Sequence, residues 1–215
     1  NSSYEVETFL ITESANEKYF DASVQMQRKS KNSYFVSDTL SQKISETKNS
    51  QGVFAVCKMK NENISLKTGQ KYIALDNLQD PGNLGTVIRT AEALGISSVI
   101  VGGGCDVFNP KVLRASMGSV LRLDVFECQS LAPVLQKAKS LGIKTYATSP
   151  DSSAKKINET QFPKSSLCVI GNEANGVSDE VMNICDETVT IPMLGRAESL
   201  NAHVAGAIVM WEMLR

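Results

Sequence analysis

At 215 residues, 42% hydrophobic and 21% charged, the chain is long enough for a full globular domain plus a smaller one. Its net charge of −1 excludes a global pull on nucleic acid, so any RNA or DNA binding rests on local patches. No apolar run approaches the ~18 residues of a membrane span and there is no basic-apolar-small leader, which points to a cytoplasmic protein. The sequence starts at Asn1 in polar residues without a Met, so its natural start is expected upstream. Val6 to Thr12 reads as a strand, Ser14 to Tyr19 as a helical turn, and Ser33 to Ser45 as a polar helix with Val36, Leu40 and Ile44 at four-residue spacing. Gly52 to Cys57 is another strand, and the polar, basic residues 58–70 make a linker.

From Lys71 the pattern becomes regular. Strands are expected at Tyr72–Leu78, Ser98–Val101, Val120–Phe126, Lys144–Thr148, Ser166–Ile170 and Thr188–Ile191. Helices are expected at Gly82–Leu94, Asn109–Met117, Leu131–Leu141, Val177–Cys185 and Ser199–Leu214. Strands alternating with helices define an α/β fold on a parallel sheet. Such sheets bind ligands beyond the carboxyl ends of their strands, where residues 77–85, 171–176 and 192–201 fall.

The five cysteines are odd in number and none are spaced C-x-x-C, so free thiols are expected. With His203 as the single histidine, there is little material for a metal site or a His-based triad, and no metal is expected. Gly102-Gly-Gly104 does not make a dinucleotide fingerprint, because the third glycine of G-x-G-x-x-G would fall on Val107.

Three segments could carry chemistry. Asn83 and Arg89 flank the start of the first regular helix and share a face only if that helix begins after Asn83. Alone, they read as a loop cap and an exposed arginine; functionally, the guanidinium fork could clamp a phosphate. Gly171-Asn-Glu-Ala-Asn-Gly176 sets one carboxylate between glycines that allow close ligand approach. Ser199-Leu-Asn201 opens the last helix, where free N–H groups favour polar ligands. Leu200, Val204, Ile208 and Trp211 follow at helical spacing, as core or as a subunit interface; His203 lies off that stripe.

In this order, Asn83-x5-Arg89, Gly171–Gly176 and Ile191-Pro-Met with Ser199-Leu-Asn201 resemble motifs 1, 2 and 3 of the SpoU/TrmH family of RNA ribose 2′-O-methyltransferases, in the SPOUT superfamily. The resemblance spans residues 72–215, and Lys111–Ser119 is similar to a family segment between motifs 1 and 2. Residues 1–57 resemble, more loosely, an L30e-like RNA-binding module that lacks its N-terminal edge, leaving 71–215 as the catalytic domain. The resemblance implies helices on both faces of the sheet, a C-terminal trefoil knot and a homodimer. It implies S-adenosylmethionine held by Gly171, Asn172, Glu173, Gly176, Ile191, Pro192, Met193, Ser199, Leu200 and Asn201.

The implied reaction methylates a ribose 2′-hydroxyl in structured RNA, ribosomal RNA favoured over tRNA. Arg89 would bind the target phosphate and steady the forming alkoxide, since a guanidinium holds its own proton too tightly to act as base. Asn83 and Ser199 would orient the nucleotide or nearby loops, Glu173 would fix the site, and Asn201 would hold the motif 3 loop. Arg114, Ser116 and Arg196 are candidates for RNA contact. His203 stands where the family has a small polar residue. Two other readings are an RNA-binding protein on this fold without catalysis, and a nicotinamide-dependent dehydrogenase, which the missing fingerprint disfavours.

Overall fold

The computed structural model describes residues 2, 4–47, 49–60 and 63–215. The chain divides into two compact units, Asn1–Asn61 and Glu62–Arg215.

The first unit runs β1 (Val6–Ile11), α1 (Glu13–Lys18), α2 (Phe20–Lys29), β2 (Asn32–Phe35), α3 (Asp38–Ile44) and β3 (Val53–Cys57). The sheet order is β2-β1-β3, with β1 parallel to β2 and antiparallel to β3. Phe9, Ile11 and Ala15 form its small core, with Tyr19 and Met26 against it. Thr12 caps α1 by accepting from Ala15 N at 3.2 Å. The expected single helix over 33–45 is corrected: its first part is β2, because Asn32 to Phe35 pair with Thr8 to Ile11 of β1. The helical spacing of Val36, Leu40 and Ile44 holds only from Asp38, where Ser37 supplies the cap.

The second unit continues β4 (Lys71–Asp76), α4 (Pro81–Leu94), β5 (Ser98–Gly102), α5 (Pro110–Ala115), β6 (Asp124–Cys128), α6 (Ala132–Ser140) and β7 (Lys144–Thr148). It ends with β8 (Lys155–Lys156), β9 (Ser166–Ile170), α7 (Asp179–Ile184), β10 (Glu187–Thr190) and α8 (Ala202–Leu214). Seven strands form one sheet in the order β6-β5-β4-β9-β7-β10-β8, every neighbouring pair parallel. The two central strands β4 and β9 are apolar over Tyr72–Leu75 and Leu167–Ile170 because helices cover both faces: Ile73, Leu75 and Cys168 belong to one core, Tyr72, Ala74 and Val169 to the other. Each large apolar side chain buried this way contributes about 1.5–3 kcal/mol.

Two sequence readings change here. The expected strand 120–126 begins at Asp124; Ser119–Leu121 is a turn of 3₁₀ helix instead. Gly118 enters it at φ 84°, and Ser119 Oγ donates to Glu92 Oε2 at 2.7 Å, burying Val120 without a strand. Arg122 grips the same carboxylate through Nε at 2.6 Å, and that pairing holds Glu92 down to about 2. The expected linker 58–70 is also not free throughout. Leu66 is buried in the second unit's core, Lys67 N donates to the Tyr72 hydroxyl, and Gly69 N donates to Ser165 Oγ, each at 2.7 Å.

The first strands run outward from β4 through β5 to β6; the later ones lie on its other side, beginning with β9. The direction reverses between β4 and β9, the place where open α/β sheets hold ligands. Among the described residues no helix is long and apolar enough to cross a membrane.

Candidate active site

The loop after β9 is fixed by its own backbone. Asn172 and Gly176 exchange two N–H···O bonds, 2.9 and 3.0 Å. Asn172 Oδ1 accepts from Ala174 N and Asn175 N, while its Nδ2 donates to Asn77 O at 2.7 Å. Gly171 is obligatory, since a Cβ there would lie 2.1 Å from the Gly176 carbonyl carbon. Beyond the loop, Ser178 donates through N and Oγ to Asp76 Oδ2, joining the end of β4 to the start of α7.

Glu173 reaches from this loop to the first turn of α4. Asn83 Nδ2 donates to its Oε1 at 2.8 Å, and the backbone N–H groups of Gln79 and Asp80 donate to its two oxygens at 3.3 Å. Partial burial pushes the Glu173 pKa up, but these donors, led by Asn83, outweigh it and hold the carboxyl below its ordinary value. It is therefore an ionised carboxylate at neutral pH.

Asp80 caps α4 by accepting from Asn83 N at 2.7 Å, and Pro81 takes the first helical position. The helix thus starts before Asn83, and the condition for Asn83 and Arg89 to share a face is not met. Six helical residues turn by about 600°, which leaves them roughly 120° apart. Asn83 is 7% exposed and faces Glu173; Arg89 is exposed. Asn83 Oδ1 also meets His203 Nδ1 of α8 at 3.0 Å.

A cavity of about 420 Å³ opens beside this cluster. Of the expected cofactor residues, Gly171, Asn172, Glu173, Gly176, Ile191, Met193, Ser199 and Leu200 line it. Pro192 and Asn201 do not. Asn201 is instead the N-cap of α8, accepting from His203 N at 2.9 Å, so this helix begins at Ala202 and not at Ser199. Sequence reasoning missed Thr148, Ser149 and Pro150, which close the cavity from the end of β7. The strand-end rule could have found them, as it found the other two loops.

The cavity suits an adenosyl group carrying a cation. Ile170, Val177, Met182 and Leu200 offer apolar walls for a ring, and the glycine-bearing loop offers backbone polar groups. Glu173, Asp179 and Glu198 offer carboxylates to a positive centre. Among the described residues no group of three or more His, Cys, Asp or Glu could hold a metal ion. Arg89, Arg114 and Arg196 are exposed, as phosphate contacts require. Ser116 is corrected: it is fully buried, with its hydroxyl donated to Leu113 O at 2.9 Å, and RNA does not reach it in this conformation.

A parallel sheet with a cavity beyond the carboxyl ends of β7, β9 and β10, walled on one side by a Gly-Asn-Glu loop, places the chain among α/β proteins that hold a small ligand at their strand ends. Residues 70–211 match the SpoU rRNA Methylase family, and the chain belongs to that family. It is 36% identical over 181 residues to the 23S rRNA (guanosine(2553)-2′-O)-methyltransferase RlmP of Bacillus subtilis, covering 84% of this chain and 71% of that protein. It is 34% identical over 148 residues to the 23S rRNA (uridine(2479)-2′-O)-methyltransferase of Streptomyces viridochromogenes, covering 66% of this chain and 52% of that one. The crystal structure of the SpoU methyltransferase AviRb from Streptomyces viridochromogenes with AdoMet superposes with a TM-score of 0.85 at 27% identity, covering 99% and 83% of the two chains. A putative TrmH-family RNA methyltransferase from Porphyromonas gingivalis gives 0.83 at 29% identity, covering 98% and 83%.

Proposed function

We propose that this chain is an S-adenosylmethionine-dependent methyltransferase acting on a ribose 2′-hydroxyl of ribosomal RNA. The carrying observation is the cavity between the 171–177 and 191–200 loops, tied through Glu173 and Asn83 to the helix bearing Arg89. S-adenosylmethionine supplies a methyl group made electrophilic by its sulfonium. Gly171, Ile191 and Leu200 would hold it with backbone and apolar walls, and the Glu173 carboxylate would favour its positive charge. Arg89 receives a target phosphate with its planar fork and steadies the charge that develops on the ribose oxygen. Ser199, exposed on the cavity rim, orients the ribose.

α8 is apolar nearly all round: Gly206, Val209, Met210 and Met213 are buried, yet Val204, Trp211 and Leu214 are exposed, Trp211 at 62%. A helix of that kind ordinarily packs on two sides, and we assign its open side to a second copy of the chain. Residues 1–57 serve as the RNA-binding module, 71–215 as the catalytic domain, and the C-terminal path is threaded as a trefoil knot. Ribosomal RNA is the preferred substrate over tRNA, in the cytoplasm.

The test is transfer of labelled methyl from S-adenosylmethionine to ribosomal RNA and to tRNA, with the product mapped to a 2′-O-methylribose. Arg89→Lys is expected to lower turnover by about tenfold or more while S-adenosylmethionine binding is kept. Near-normal turnover in that variant would remove the planar fork from the mechanism. Failure of the wild-type chain to bind S-adenosylmethionine in calorimetry would leave an RNA-binding protein without catalysis.

A further inference from the structure

We propose that His203 is a positioning residue for methyl transfer: it fixes the amide of Asn83 and through it seats the first turn of α4 on the cofactor loop. The proposal rests on the methyltransferase reading above.

Glu173 is ionised and can only accept hydrogen bonds, so the amide of Asn83 must present its NH₂ to Oε1, at 2.8 Å. That leaves Asn83 Oδ1 facing His203 Nδ1 at 3.0 Å. An amide oxygen is an acceptor, so His203 Nδ1 must carry the hydrogen. The tautomer is thereby set by its neighbours, with Nε2 as the ring's open atom. The reverse amide orientation would place Asn83 Oδ1 against the Glu173 carboxylate and lose that bond.

Asn83 is 7% exposed, so water is a poor substitute for either partner. Its backbone N–H is held by Asp80 Oδ1 at 2.7 Å, so the side-chain amide and the helix start move as one unit. The main chain that carries the imidazole is anchored as well, because the His203 backbone N–H donates to Asn201 Oδ1. Three segments therefore meet at Asn83: the loop that lines the cavity, the helix that carries Arg89, and the helix that follows Ser199. A smaller residue at position 203 leaves the Asn83 oxygen without its partner and the amide with one constraint instead of two. A hydrogen-bonded histidine without a role in the reaction would share the contact but not its kinetic consequence.

The 215-residue chain tests this twice. It contains one histidine, so the ¹⁵N spectrum of its imidazole belongs to His203 alone. The neutral ring is expected as the Nδ1–H tautomer; a dominant Nε2–H tautomer overturns the proposal, whether or not any variant folds. In kinetics on ribosomal RNA, His203→Leu is expected to lower kcat about tenfold, the order of one lost buried hydrogen bond, with S-adenosylmethionine affinity within about twofold. His203→Asn, whose amide nitrogen occupies the place of Nδ1, is expected to restore most of that loss. Unchanged kcat in His203→Leu overturns the proposal, and so does a His203→Asn as impaired as His203→Leu, which would assign the function to Nε2. A wild-type chain that methylates no RNA counts against the function proposed above, while the tautomer stands or falls independently.

Discussion

The two loops that line the cavity are built in opposite ways. Residues 171–177 are closed by two backbone bonds, three bonds from the Asn172 side chain and three donors on Glu173. Residues 192–199 are mostly exposed, Leu194 completely, and no hydrogen bond joins them to the rest of the described residues. One wall is organised before any ligand arrives. The other has no such bonds, so fixing it on a ligand is expected to cost about 0.5–1.5 kcal/mol for each side chain immobilised. Affinity should therefore be lost by disturbing the first loop and tuned by altering the second.

The same substitution in both loops makes the sharpest test. Gly171→Ala forces a Cβ into the Gly176 backbone, so it is expected to cost about 3 kcal/mol or more in denaturant melts and to abolish S-adenosylmethionine binding. Gly195→Ala has open space around its Cβ and no positive φ, and is expected to change stability by less than about 1 kcal/mol. Comparable losses in the two variants would break the contrast.

Next in size is Glu173→Gln. A neutral amide cannot accept from Asn83, Gln79 and Asp80 at once without turning an NH₂ toward one of those donors, so kcat/KM is expected to fall roughly 10- to 100-fold. The same variant carries a pH signature. The folded pKa of Glu173 is lowered, so its contribution is complete above the ordinary carboxylate pKa and is lost as pH falls through the lowered value. Thermal melts between about pH 3 and 6 should show a steeper acid limb in the wild type than in Glu173→Gln. The effect is small, because the side chain is partly solvated. Trp211→Glu touches neither loop: it should halve the apparent mass in sedimentation if α8 is the dimer face, and leave the mass unchanged if it is not.

Legibility in the sequence followed burial. β4, β5 and β9 stand where their apolar runs sit, because strands buried on both faces need no pairing information to be seen. The run at Val120–Leu121 misled because burial there comes from a turn pinned by Glu92, a residue 27 positions upstream of Ser119. β2 was hidden inside a helical spacing, since only its pairing with β1 makes it a strand. In the site, the glycine loop was readable as local turn chemistry, and the last helix was placed three residues early, because Asn201 caps it and Ser199 does not. The partner of His203 was not readable, because Asn83 lies 120 residues away and nothing in either neighbourhood names the other.

Those long separations bear on when the enzyme comes into being. Glu173 meets Asn83 across 90 residues, Ser178 meets Asp76 across 102, and His203 closes the group last. Loop closures of that span are slow relative to helix formation. A growing chain emerging from the ribosome can fold β4, α4 and β5 early, yet it holds no methyl-donor cavity until α8 has been synthesised. Binding competence therefore waits on α8, whose Ala202 and Ala205 line the cavity, and a fragment ending before Ala202 should not retain the donor.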